Sequence, residues 1–163
     1  PIKNKSKIIN IFIAGDYSKD STINLLSLLN VSIKNFKFRY KLYYKPHPQT
    51  PININKFKNL KICEVNNPIV NYVRKIDLAI VSNTTSAGLD FYFAGRKVLV
   101  MLDRGKINYN PLRGIKTVEF FYDAESLSKS VKYILKSKKT KNIINNYFYQ
   151  DKNLKKLKKI LLK

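Results

Sequence analysis

The sequence is poor in acidic residues, with 10 Asp and Glu against 32 Lys and Arg, so its formal net charge is +22. It has one cysteine, one histidine and no tryptophan. A single cysteine cannot form an internal disulfide, and one cysteine with one histidine cannot build a zinc site of the usual composition. No run of eighteen apolar residues occurs, so the sequence predicts neither a membrane-spanning helix nor a signal peptide.

Two nucleotide-binding motifs are also missing. The sequence has neither G-x-G-x-x-G nor a P-loop lysine, which argues against dinucleotide and Walker-type ATP sites. The cysteine, Cys63, lies in the apolar run 60–65 and is predicted to be a buried core residue, not a reactive thiol. The 163 residues, 44% of them hydrophobic, suffice for one domain with a core. The first residue is proline instead of methionine, which suggests a piece of a longer protein.

The positive charge indicates an anionic partner, such as nucleic acid, anionic lipid or a phosphorylated substrate. Part of it can instead reflect a composition rich in Ile, Asn, Lys and Tyr, as AT-rich coding favours. Residues 136–163 hold ten of the lysines and one acid, Asp151. Apolar residues at helical spacing predict two amphipathic helices there: Ile143, Ile144, Tyr147, Phe148, Leu154, Leu157, Ile160 and Leu161. We expect them to pack on the domain or on a missing partner domain, or alternatively to contact an anionic membrane.

Apolar runs alternate with helical patterns along residues 1–135. Strands are predicted at 7–14, 36–45, 60–65, 78–81, 97–102 and 116–121. Helices are predicted after Ser21 as N-cap, behind Asn66-Asn67-Pro68 as far as about Asp77, from Ser86 to a stop at Gly95, and after Asp123 as N-cap. This alternation predicts an α/β, Rossmann-like, mostly parallel sheet of about six strands with helices on both faces. The domain is expected to span 1–135, with basic helices over 136–163.

The tetrapeptide Lys45-Pro46-His47-Pro48 follows the second predicted strand and holds the only histidine. Its two prolines restrict the backbone on either side of the ring, and Lys45 raises the local positive potential. An imidazole held in this way can donate a hydrogen bond to a phosphate oxygen or pass a proton to a departing phosphate. A lone histidine is often only structural, but this context favours a functional role for His47.

A second polar segment, Ser82-Asn83-Thr84-Thr85-Ser86, follows strand 78–81 and precedes a helix. The hydroxyls of Ser82, Thr84, Thr85 and Ser86, with the free N–H groups of the helix start, predict a phosphate cradle. Helix capping by one of these residues is the alternative.

Three further residues complete the predicted site. Asp90 lies one turn after Ser86 and could accept a hydrogen bond from a ribose hydroxyl, or be a solvated carboxylate. Gly15, after the first strand, is a weaker candidate, and Asn66 follows the third strand. Ligands of parallel sheets bind beyond the carboxyl ends of the strands, so we expect these groups and His47 to form one anion site.

These motifs together resemble the C-terminal half of bacterial surface-carbohydrate glycosyltransferases of the GT-B architecture, which carry an HP motif and a downstream Ser/Thr motif. The segments that carry the resemblance are Lys45-Pro46-His47-Pro48, Ser82-Asn83-Thr84-Thr85-Ser86 with Asp90, Gly95-Arg96-Lys97-Val98 and Asn108-Tyr109-Asn110-Pro111-Leu112-Arg113-Gly114. Sialyltransferases, Kdo transferases and polysialyltransferases are of this type. The CDP-glycerol glycerophosphotransferases have a similar layout. The resemblance covers about residues 41–125.

The resemblance implies a domain that binds a nucleotide sugar, with CMP as the expected nucleotide, in an enzyme of capsule or lipopolysaccharide synthesis. By this analogy His47 contacts the donor phosphate and assists departure of the nucleotide, Thr85 and Ser86 bind the same phosphate, and residues 66–69 face the base. A glycan or lipid-linked acceptor and the catalytic base would belong to an N-terminal domain that this sequence does not contain. The piece should therefore bind the donor without transferring sugar. No metal or other cofactor is expected, and the implied location is the cytoplasm or the inner face of its membrane.

Two alternatives stay open. One is a CDP-glycerol-type polyol-phosphate transferase domain. The other is a non-catalytic basic module that binds anionic membrane or nucleic acid through residues 136–163. Nucleic acid is the less favoured partner because the aromatic residues that could stack on bases lie in predicted strand and helix interiors: Tyr43, Tyr44, Phe91, Tyr92 and Phe93.

Overall fold

The computed structural model describes residues 7–137 and 155–161. The strands are Ile9–Ala14 (β1), Tyr40–Lys45 (β2), Ile62–Glu64 (β3), Leu78–Val81 (β4), Lys97–Met101 (β5) and Glu119–Phe121 (β6). The helices are Lys19–Ser32 (α1), Val70–Val73 (α2), Ala87–Phe93 (α3), Ala124–Lys136 (α4) and Lys155–Leu161 (α5). Short 3-10 helices lie at Ile33–Asn35 and Ile54–Lys56.

The six strands form one sheet in the order β3-β2-β1-β4-β5-β6, and every neighbouring pair is parallel. The predicted Rossmann-like α/β fold is therefore confirmed. The chain moves outward from β1 to β3 and then returns to the other side of β1 with β4. The strand order consequently reverses between β1 and β4, where such sheets bind their ligands.

Both faces of the sheet are covered. Side chains of β1 alternate between the faces, as the strand pleat requires: Ile11 and Ile13 pack with α1 and α4, and Phe12 and Ala14 pack on the side of α2 and α3. Helix α4 buries Leu127, Val131 and Ile134, which lie along one face at spacings of four and three residues. The predicted cap at its start is present, because Asp123 and Ser126 form a capping box.

Several local boundaries differ from the sequence prediction, among them the following three. Helix α1 is capped by Ser18, whose side chain accepts from the Ser21 N–H, so Ser21 lies inside the helix. The second strand begins at Tyr40 instead of Phe36, and the rings of Phe36 and Phe38 stack on each other ahead of it, with centroids 5.1 Å apart. The helix predicted as far as Asp77 has only the four residues Val70–Val73.

The prediction that Cys63 is buried is wrong. Cys63 is an exposed free cysteine on β3. Strand β3 forms one edge of the sheet, and its three residues are only half-buried or exposed. A short apolar run does not reveal whether its strand will be central or at an edge.

The basic tail is described only in part. Lys155–Leu161 is helical, as predicted for that stretch, whereas the helix predicted around Ile143 and Phe148 lies outside the described residues. Among the residues that the structure describes, no helix has the length and apolar character needed to cross a membrane.

Candidate functional site

The candidate site lies at the carboxyl edge of the sheet, around the ends of β2, β1 and β4, which are neighbours in that order. Strand β2 ends at Lys45 and leads into His47, strand β1 ends at Ala14, and strand β4 ends at Val81. Because the strands are parallel, all three loops leave the sheet on the same side. The predicted histidine and Ser/Thr segments thus lie on either side of the loop that follows β1.

Gly15 packs directly against the Lys45-Pro46-His47 backbone. Its N–H donates to the Lys45 carbonyl at 2.8 Å. A Cβ atom placed on Gly15 would lie 2.7 Å from the backbone nitrogen of His47 and 3.1 Å from the carbonyl oxygen of Lys45. The contact explains why glycine stands here, because any side chain would push the histidine turn away from β1. Direct contact of Gly15 with a ligand stays a prediction.

The His47 ring is half-buried and is held by two neighbours. Its Nδ1 accepts a hydrogen bond from the Gln49 N–H at 3.3 Å. The Tyr17 ring lies edge-on to it, with centroids 5.7 Å apart and planes at 90°. Since Nδ1 accepts, a neutral ring carries its proton on Nε2, the nitrogen that can donate to a ligand. Tyr17 is 70% exposed and therefore forms an aromatic wall beside this donor.

Asp16 is the residue that connects the two predicted segments. It is 1% exposed, and its carboxylate accepts from the Ser82 hydroxyl, from the Thr84 hydroxyl at 2.7 Å and from the Ser18 N–H at 2.8 Å. Its main-chain carbonyl accepts from the Thr50 hydroxyl at 2.8 Å, three residues past the histidine. One buried residue therefore fixes the β4 loop through its side chain and the histidine loop through its backbone.

This arrangement divides the predicted hydroxyl cluster. Ser82 is fully buried, and the hydroxyl protons of Ser82 and Thr84 are donated to Asp16. A hydroxyl has one proton, so neither group can also donate to a phosphate while these bonds last. Thr85 and Ser86 are arranged differently: the Thr85 oxygen accepts from the Ala87 N–H at 3.3 Å, and Ser86 is exposed and makes no side-chain cap to α3. These two hydroxyls retain their protons for a ligand.

Two asparagines of the quoted motifs, which were not predicted to be site residues, shape the other side of the edge. Asn83 donates to the Ile107 carbonyl at 2.8 Å and accepts from the Tyr109 N–H at 3.1 Å. Asn110 donates to the Ser82 carbonyl at 3.2 Å. Both asparagines are buried, so they attach the loop between β5 and β6 to the end of β4. Their signal was present in the motif around Asn110, but sequence alone does not show what an asparagine amide contacts.

The remaining predicted residues lie around a groove between α2 and α3. Lys45 and Asp90 both line this cavity of about 930 Å³, together with Pro68, Ile69, Val70, Val73, Arg74, Phe93, Ala94 and Arg96. The Lys45 ammonium donates to the Asn66 carbonyl at 2.9 Å, and the residue Asn66 is exposed. Lys45 therefore reaches from the histidine turn to the segment predicted to face the base.

The predicted residues thus form two connected groups: His47, Gly15 and the 82–86 segment at the sheet edge, and Lys45, Asn66 and Asp90 at the groove. Within residues 7–137 and 155–161, no cluster of three or more His, Cys, Asp or Glu side chains could hold a metal ion.

The sequence matches no protein-family model and no curated protein. Its fold, however, is shared by solved structures. UDP-GlcNAc 2-epimerase from Methanocaldococcus jannaschii aligns over 94% of this chain and 45% of its own, with a TM-score of 0.65 and 14% identity. MurG from Acinetobacter baumannii aligns over 81% of this chain and 42% of its own, with a TM-score of 0.60 and 15% identity.

A third match is KpsC of Thermosulfurimonas dismutans, a beta Kdo 2,7 transferase. It aligns over 74% of this chain and 40% of its own, with a TM-score of 0.50 and 22% identity. The chain spans less than half the length of these three proteins. At such identities the likeness shows the fold alone, which this chain shares with part of each of these longer proteins.

Proposed function

We propose that this chain is the nucleotide-sugar-binding half of a glycosyltransferase, with CMP as the expected nucleotide and a bacterial surface polysaccharide as the product. The observation that carries the proposal is the position of the His47 turn beside the Ser/Thr segment at the strand-order reversal. Gly15 and Asp16 hold both segments in place through backbone contact and buried hydrogen bonds. In parallel α/β sheets this is where ligands bind.

The donor phosphate would lie between the His47 ring and the Thr85 and Ser86 hydroxyls. The His47 Nε2–H would donate to a phosphate oxygen and would stabilise the negative charge that develops on the phosphate as the nucleotide departs. Ser82 and Thr84 would act indirectly, because their bonds to Asp16 set the path of the backbone that carries Thr85 and Ser86.

The nucleoside would extend toward the groove between α2 and α3. There the Asp90 carboxylate could accept from a ribose hydroxyl, while Pro68 and Ile69 offer apolar surface to a base. The Lys45 ammonium lies where the groove meets the histidine turn and adds positive potential for a phosphate. An acceptor, whether a glycan or a lipid-linked glycan, and a catalytic base would have to come from outside this chain.

The match to a UDP-GlcNAc 2-epimerase favours a second candidate, a part of a UDP-sugar epimerase, because that alignment covers 94% of the chain. The HP and Ser/Thr motifs favour the transferase instead, and a CDP-glycerol-type transferase stays an alternative within that class. The nucleotide preference separates these candidates: cytidine nucleotides fit a transferase of either kind, and uridine nucleotides fit the epimerase.

The test is a titration of the 15N-labelled chain with CMP, CDP and UDP, followed by amide NMR. We expect CMP or CDP at millimolar concentration to shift the amides of His47, Thr85 and Ser86. The variant His47→Ala should weaken that binding by about tenfold, the loss expected for a hydrogen bond to a charged group.

The matched control is Gln49→Ala, which changes the exposed side chain of a neighbour and leaves the Gln49 N–H in place. It should bind within about twofold of the unmodified chain, since a surface side chain with no ligand contact contributes little. If none of the three nucleotides shifts His47 and Thr85, the proposed site is wrong. A preference for UDP would overturn the cytidine nucleotide and leave the epimerase, or a transferase with a UDP-sugar donor, as the candidates.

A further inference from the structure

Helix α5, Lys155–Leu161, has two large apolar side chains in the open. Ile160 is 72% exposed and Leu161 is 73% exposed. Lys158 and Lys159 directly precede them in the sequence. The side chains of Lys155, Lys158 and Lys159 are exposed as well. Single exposed apolar residues are common on this surface, but here two adjacent ones lie at the end of a strongly basic helix.

The helical geometry separates these two kinds of side chain. With about 100° between successive residues, Ile160 and Leu161 are centred roughly opposite to Lys155 and Lys159, and Lys158 lies at the boundary between the two faces, beside Leu161. The helix is therefore amphipathic, with an apolar face and a face whose described charges are all positive. The adjoining sequence has the same sign, since residues 136–163 contain ten lysines and one acid.

A second group of exposed basic residues lies at the end of α4. On the outer side of α4, Lys132, Tyr133 and Lys136 are exposed near the end of the helix. Tyrosine has an apolar ring and a polar hydroxyl, and it is enriched at the boundary between lipid and water. The end of α4 thus combines positive charge with an exposed amphipathic ring, whereas α5 combines positive charge with exposed aliphatic side chains.

The chemistry of the two faces decides between anionic partners. A nucleic acid or another soluble polyanion would pair with the lysines and leave Ile160 and Leu161 in water. An anionic bilayer meets both needs, because its phosphates attract the lysines and its acyl region takes up the apolar side chains. We propose that α5 binds the surface of an anionic phospholipid membrane, lying in the interface with Ile160 and Leu161 toward the lipid.

This attachment is reversible and needs both signals. Each lysine near an anionic surface strengthens binding by about fivefold, and two apolar side chains alone hold a protein only weakly. The proposal is independent of the nucleotide site, because α5 shares no residue with it.

The test is co-sedimentation with vesicles, one set of pure phosphatidylcholine and one set with about one third phosphatidylglycerol. The unmodified chain should bind the anionic vesicles at least tenfold more strongly. The apolar variant, Ile160→Ser with Leu161→Ser, and the charge variant, Lys158→Ala with Lys159→Ala, should each lower that affinity by about tenfold or more. All four positions are exposed, so the fold should survive, as circular dichroism would show.

The controls are matched in chemistry and lie within residues 31–37, outside α4 and α5. Lys34→Ala with Lys37→Ala removes the same charge from an exposed segment, and Val31→Ser removes an exposed apolar side chain from α1. Both should stay within about twofold of the unmodified chain. Equal binding to the two vesicle types would overturn the proposal. So would full binding by the apolar variant, because the attachment would then be one that any polyanion could provide.

Discussion

The Ser82 hydroxyl donates a hydrogen bond to the Asp16 carboxylate, and this contact joins the ends of β1 and β4 where the strand order reverses. The same carboxylate accepts from Thr84 and from the Ser18 N–H. These hydrogen bonds to Asp16 account for the positions of Ser82 and Thr84 without a bound ligand. Asp16 therefore organises the candidate site from below, while His47, Thr85 and Ser86 remain available above it.

Replacing Asp16 with asparagine should destabilise the fold. An amide keeps one acceptor oxygen and adds an N–H₂ group, so at least one of the three donors loses its partner in a buried place. We expect Asp16→Asn to lower the free energy of unfolding by about 2 to 3 kcal/mol, measured by urea denaturation. Asp20→Asn is the control, because Asp20 is exposed in the first turn of α1 and its loss should cost less than about 1 kcal/mol. Equal losses of unfolding free energy in the two variants would show that the buried Asp16 contacts stabilise the fold no more than an exposed carboxylate does.

The fold could be predicted because its signal is repeated along the chain. Leu78–Val81 was predicted with the bounds that it has, and all six strands appear where apolar runs indicated them. A run of buried β-branched residues has few alternatives to a central strand. The order of the strands could not be predicted from the apolar runs. The exposure of Cys63 could not be predicted either, because it depends on β3 being an edge strand of the sheet.

The candidate site was predicted in outline and not in its connections. Parallel topology placed His47 and residues 82–86 at one edge, as the structure does. The role of Asp16 depends on a contact with Ser82, 66 positions away, and no local sequence pattern indicates that contact. The contact of the Tyr17 ring with His47 could not be predicted either. Long-range side-chain pairs of this kind leave no periodic trace in a single sequence.

Gly15→Ala should disturb the histidine turn in particular. The three atoms nearest to the added Cβ are backbone atoms of Lys45, Pro46 and His47, so no rotation of a side chain relieves the clash. We expect a loss of about 2 to 3 kcal/mol in the free energy of unfolding and shifted amide signals at His47 and Gln49.

The control for Gly15 is Gly105→Ala. Gly105 has a φ of 75° with no atom near the added Cβ, so its substitution should cost only about 1 to 2 kcal/mol, for the left-handed backbone, and leave His47 unshifted. If Gly15→Ala leaves the His47 signals in place, the close packing does not set the position of the ring.

Tyr44→Phe should stabilise the protein. The Tyr44 side chain is fully buried on β2, and its hydroxyl has no hydrogen-bond partner among the described residues. Removing an unpaired buried hydroxyl should raise the free energy of unfolding by about 1 kcal/mol at neutral pH, by urea denaturation. A loss of more than about 1 kcal/mol would instead indicate a bound partner for this hydroxyl.

Alkaline pH offers a second measurement on the same residue. Burial, aided by the charge of Glu64, raises the pKa of Tyr44 to about 12. The unfolded chain ionises near pH 10, so the folded state of the unmodified protein loses stability as the pH rises from about 10 toward 12. Tyr44→Phe lacks this titration. Its advantage should therefore grow with alkalinity in that window, and a constant advantage would argue against a buried neutral phenol.

Asp77→Asn should alter the acid stability of the fold. Asp77 precedes β4, and its carboxylate accepts from the Lys7 ammonium at 2.7 Å and from the Asn10 N–H at 3.0 Å. Burial alone raises the pKa of Asp77, but these hydrogen bonds and the charges of Lys7 and Arg96 outweigh it, so the pKa is lower than usual. The folded state holds this proton less tightly than the unfolded chain. The carboxylate therefore adds stability above about pH 4, and that stability is lost as the pH falls through the folded pKa.

At pH 7 the asparagine variant should be less stable by about 1 kcal/mol, a modest value because Lys7 is exposed and water screens the pair. The difference should shrink as the pH is lowered below about 4, because the unmodified protein then loses the contribution that the variant never had. Urea denaturation at a series of pH values measures this. Lys7→Gln is the matched control, since it removes the ion pair and keeps the Asn10 bond, and it should show about half the effect. A gap between Asp77→Asn and the unmodified protein that stays constant from pH 7 to about pH 3 would mean that Asp77 acts through packing and not through its charge.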